Sequence, residues 1–97
     1  MNPAVRLSIT QMSDLSNRHA PREVVLDLEG EEWHVRETAR SWAAVRGYDS
    51  LVGSIERILT PPPPQPGFAA VINKPNRLLV LVRWPWAPPV GVDELLF

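Results

Sequence analysis

Two histidines, His19 and His34, are the only side chains in this chain whose ordinary proton affinity suits transfer near neutral pH. Neither has an acidic or serine neighbour in a recognised catalytic arrangement. Without a cysteine, or the i, i+4 spacing of ligands on a helix, they make a poor zinc pair. The serines at positions 8, 13, 16, 41, 50 and 54 include no G-x-S-x-G turn. The glycines form neither G-x-G-x-x-G nor G-x-x-x-x-G-K. Glu29, Glu31, Glu32 and Glu37 are close enough in sequence for paired-carboxylate chemistry, but the reading that places them at a hairpin tip leaves them solvated. No catalytic residue, metal ligand or cofactor is assigned.

Arg36, Arg40 and Arg46 interleave with His34 and Trp42, the nearest approach to a nucleic-acid patch. Glu31, Glu32 and Glu37 stand among them, so the expected outcome is a mixed, salt-bridged surface. The four tryptophans are more informative. Trp33 and Trp84 fall on apolar strand faces and are expected in the core, whereas Trp86 lies between Pro85 and Pro88, where no sheet ladder continues. Large rigid aromatics beside an arginine, here Arg83, are typical of binding hot spots.

The bulk properties narrow the classes further. At 97 residues with formal charge −1, the chain suits one modest core and carries neither a basic arm nor an acidic tail. Apolar residues make up 44% and charged residues 22%, the balance of a folded protein. The absence of cysteine excludes disulfides and thiolate chemistry. The first residues lack the pattern of a secretory signal, and the apolar run 78–82 is far short of the roughly 20 residues of a membrane span. A cytoplasmic protein is therefore expected.

The elements that must position these residues follow from periodicity. Val5, Leu7 and Ile9 alternate with polar residues as in a half-buried strand, followed by a polar loop over 11–22. Val24, Leu26 and Leu28, a turn at Glu29-Gly30-Glu31, then Trp33 and Val35 read as a hairpin, with Gly30 at a positive φ and His34 on its polar face. Ala39, Trp42, Ala43 and Arg46 have helical spacing, and Gly47 is placed to stop that helix. Leu51, Val52, Ile55, Ile58 and Leu59 form a second helical stripe, capped by Asp49 or Ser50, although a short strand over 49–59 fits nearly as well. The proline run 61–67 reads as a stiff spacer or a polyproline ligand. Residues 68–72 and 77–84 flank Asn73-Lys74-Pro75-Asn76 as a second hairpin, and the two-faced apolar strand 78–82 should be central.

These elements predict a single α+β domain over 1–97. It has a small antiparallel sheet of about five strands, two hairpins plus an N-terminal strand, with one or two short helices between the hairpins. A proline-rich spacer lies at 61–67 and a proline-rich C-terminal segment at 85–97. The surplus of apolar side chains in the second half predicts a small non-enzymatic interaction domain. It would be an accessory or regulatory subunit docking on a larger protein or self-associating. Expected contacts are Trp84, Trp86, Leu95, Leu96 and Phe97, with Arg83 at the rim. The alternatives are nucleic-acid binding through the 36–46 region and a small hydrolase-like enzyme using His34.

Overall fold

The computed structural model describes residues 4–17, 19–59 and 67–84. Strand β1 (Ala4–Met12) is followed by β2 (Arg22–Glu31), helices α1 (Glu32–Val45) and α2 (Asp49–Leu59), strand β3 (Phe68–Asn73), a single 3-10 turn (Lys74–Asn76) and strand β4 (Leu78–Arg83). The four strands form one antiparallel sheet in the order β2-β1-β4-β3. Both helices pack on one face, α1 over β1 and β2, α2 over β3 and β4. Among the described residues this is a small α+β domain with four strands, where the sequence predicts about five.

The difference arises at the first hairpin. Strand β2 runs unbroken through Glu29 and Gly30, and α1 begins at the next residue after the strand. Gly30 does have a positive φ, 156°, but inside the strand opposite Val5 and not in a turn. The hairpin is β1–β2 itself, closed by the loop 13–21. There Asp14 Oδ1 accepts hydrogen bonds from the backbone N–H and hydroxyl of Ser16, at 2.9 and 2.7 Å. Those bonds hold the Asp14 carboxyl below its ordinary range.

Trp33 and Val35 also satisfy a period of two, but Val35, Ala39 and Ala43 recur every fourth residue and are the buried stripe of α1. Trp33 consequently points away from that stripe and is 58% exposed, correcting its expected place in the core. His34 is likewise an exposed helix residue, its ring edge-on to Trp33 at 5.5 Å.

Helix α1 stops where the sequence indicates. Gly47, at φ 74°, donates its N–H to the carbonyl of Ala44, and Tyr48 donates to Ala43. Together these form the paired bonds of a Schellman stop. Tyr48 also packs its ring against Trp42, and its carbonyl accepts the first amide bonds of α2. The stripe Leu51, Ile55 and Leu59 then lies fully buried against the sheet, which decides the 49–59 segment as helix. A buried polar pin fixes the start of α2: Asn73, 4% exposed, donates from Nδ2 to Ser50 Oγ at 3.0 Å, while its Oδ1 accepts from Asn76 Nδ2 at 2.8 Å.

The core joins Val5, Leu7 and Ile9 of β1, Leu78, Val80 and Val82 of β4, Trp84, and the two helix stripes. Strand β4 is central, as its apolar composition implies.

Candidate interaction surface

The pairing register assigns the strand residues to faces, apart from Val25, which has no partner where the register shifts between Ile9 and Thr10. Leu28, Leu7, Val82 and Ala69 stand side by side under the helices, as do Leu26, Ile9, Val80 and Val71. The opposite face carries Asp27 and Glu29 on β2, Arg6 and Ser8 on β1, Leu79, Leu81 and Arg83 on β4, and Phe68, Ala70 and Ile72 on β3. Its two halves differ in chemistry. The β2–β1 half carries the charged residues, beside Thr10 and the exposed Val24 opposite it, and the β4–β3 half is apolar except for Arg83.

On the charged half, Arg6 grips Asp27 through two bonds, Nε to Oδ1 at 3.1 Å and Nη2 to Oδ2 at 2.8 Å. That bidentate contact depresses the Asp27 carboxyl and raises Arg6. A hollow of about 220 Å³ marks the seam between the halves, lined by Arg6, Ser8, Val24, Asp27, Leu81 and Arg83. Arg83 sits between Arg6 and Phe68 across the ladder, at the border of the apolar half.

Strand β3 forms the outer border of the apolar half, and among the described residues nothing pairs with its outer side. The amide of Trp84 donates to the carbonyl of Gly67 at 2.9 Å, which sets the phase of the β3–β4 ladder. Because antiparallel bonds alternate, Ala69, Val71 and Asn73 direct their N–H and C=O groups to β4. Phe68, Ala70 and Ile72 direct theirs outward. Those three residues also place their side chains on the face away from the helices, where Ala70 is exposed and Ile72 is 37% exposed, while Leu79 beside Ile72 is buried. The whole strand, FAAVIN, contains no charge and no proline. Natural edges are normally blunted by such residues.

The other edge is blunted. On β2 the phase set by Val5, Leu7 and Ile9 turns Asp27, Glu29 and Glu31 outward, and all three are acids.

Trp84 is 3% exposed and belongs to the core, so the contact role expected of it is replaced by intramolecular packing. Trp86, Leu95, Leu96 and Phe97 lie outside the described residues. Phe68, Ala70 and Ile72 carry no mark in the sequence beyond the missing charge. Whether a strand is an edge depends on the order β2-β1-β4-β3, which spacing alone does not reveal.

The other candidate regions are internally occupied. Arg36 Nη2 donates to Glu32 Oε1 at 2.7 Å and to the Leu59 carbonyl at 3.4 Å, near the C-terminus of α2. Arg40 bridges Glu37 at 2.9 Å and Glu56 at 3.1 Å. Arg46 lies 4.2 Å from the Trp42 ring centroid and donates to the Trp42 carbonyl. The cationic stripe is therefore the salt-bridged surface its composition suggests. A wider hollow of about 520 Å³ lies beside Gln11, Met12, Ser13, Pro21, Arg22, Glu23 and Arg77. Its polar groups tie the molecule together: Gln11 Nε2 donates to the Asn76 carbonyl and Arg77 Nη1 to that of Ser13. His34 lines neither hollow.

Among the described residues, no group of three or more His, Asp or Glu side chains is arranged to hold a metal, and no helix is long and apolar enough to cross a membrane. Comparison with models of protein families, with curated proteins and with solved structures finds no match to this chain.

Proposed function

We propose that this chain is a small non-enzymatic protein-interaction domain, an accessory or regulatory subunit that docks on a larger protein or on its own copy. The observation that carries the reading is the β3 border. An uncharged six-residue strand with outward N–H and C=O groups adjoins an apolar strip of Phe68, Ala70, Ile72 and Leu81. Such a border offers main-chain hydrogen bonds for affinity and alternate side chains for selectivity, the two requirements of docking by strand addition. Arg83 supplies the charged rim.

The test is the mass of the chain in solution, alone and after tagged recovery from its native host. A multimer, or a stoichiometric companion lost on Ile72→Lys, is expected. A clean monomer that recovers no companion overturns the reading.

A further inference from the structure

We propose that the occupant of the β3 edge is a second copy of this chain, paired antiparallel across a two-fold axis at Ala70. The inference rests on the interaction reading above and names the partner. Three features of the strand select this arrangement.

The first is phase. In an antiparallel pair, directly opposed residues either exchange two hydrogen bonds or none. A two-fold axis at Ala70 sets Ala70 against Ala70 of the copy and Phe68 against Ile72 of the copy. These are the three residues whose N–H and C=O groups point outward. Every outward group between Phe68 and Ile72 then finds a partner, six bonds in all by symmetry. An axis at Val71 would bond only Ala70 with Ile72 of the copy, four bonds instead of six, and would set Phe68 against Lys74 of the copy.

The second is shape. At the axis stands the smallest side chain of the outward set, flanked by Phe68 facing Ile72, an aromatic and β-branched pair of the type that stabilises sheets. Both lie on the face away from the helices, so pairing joins the two apolar strips into one.

The third is charge. Self-pairing of β3 brings no like charges together, since the strand has none. The same operation on β2, centred on Glu29, would set Glu29 against Glu29 and Asp27 against Glu31. Like charges directly opposite destabilise a sheet, so one edge rejects a copy and the other accepts it. The product is a continuous sheet with β2 strands at both outer borders.

The interface is short, so weak association is expected, read by sedimentation from ~10 µM to ~1 mM. The expected result is a mass rising from 10.9 kDa toward twice that value. Ala70→Lys sets two ammonium groups face to face at the axis and should raise the dissociation constant at least tenfold. Ala70→Pro should do the same, because the N–H it removes points outward and the β3–β4 ladder keeps its bonds. Both are checked for unchanged circular dichroism. Glu29→Lys should leave the dimer intact. A wild type that stays monomeric throughout, or a dimer indifferent to both Ala70 variants, overturns the proposal. If Ala70→Lys instead abolishes binding of a different protein while the chain is monomeric, the second copy is excluded and the interaction reading stands.

Discussion

Asp27 shows how one residue couples the helix-free face of the sheet to pH. The Arg6 guanidinium donates to both of its oxygens, so its folded proton affinity lies below the ordinary carboxylate value of about 3.9. A depressed carboxyl contributes stability that is fully present above the unfolded value and is lost as pH falls through the folded one. Both side chains are about half exposed, which keeps the contribution small and sensitive to salt. The urea midpoint should therefore lose this contribution below about pH 4, with a steeper acid fall in the wild type than in Asp27→Asn. Identical acid limbs for the two proteins would remove the assignment. Neither partner was legible as a pair in the sequence, because Arg6 and Asp27 lie on different strands and meet only through the β1–β2 register. Trp33 was misread for a related reason: one large apolar residue fits either periodicity, and the buried Ala39 and Ala43 further along α1 decide between them.

At the scale of elements, Gly47 and Gly53 ask opposite things of the same substitution. Gly47 closes α1 at φ 74°, where an L side chain crowds its own backbone even though the space around it is open. Gly47→Ala should cost about 1–2 kcal/mol. Gly53 lies inside α2, exposed, with nothing within 4 Å of an added Cβ. Gly53→Ala should stabilise by about 0.5–1 kcal/mol through backbone entropy and helix propensity. Urea midpoints that move in opposite directions at unchanged slope are expected. A destabilised Gly53→Ala would place an unseen contact at that helix face. Both helices were readable because their stripes repeat over several turns and the Gly47 stop is local chemistry. The false turn at Glu29-Gly30-Glu31 had the right residue types, but the chain passes from strand to helix there without a loop. Composition cannot distinguish those two outcomes.

For the whole molecule, the strand order turns an alternation of backbone groups into a readout of assembly. Central strands β1 and β4 have neighbours on both sides, so their amides should exchange slowest, near the limit set by global unfolding. Along β3 the amides of Ala69, Val71 and Asn73 face β4 and should be protected at every concentration. Those of Phe68, Ala70 and Ile72 face outward and should exchange quickly in dilute protein. Concentrating the sample should slow these three and leave the outward amides of Asp27 and Glu29 on β2 fast, because the outward acids Asp27, Glu29 and Glu31 repel a copy there. The measurement separates two explanations that a mass alone confuses. Association through some other surface would leave the even-numbered β3 amides fast, and nonspecific clustering would slow both edges together. Selective protection of Phe68, Ala70 and Ile72 requires a partner strand in phase with their N–H groups, and only the β3 edge presents that phase without charge.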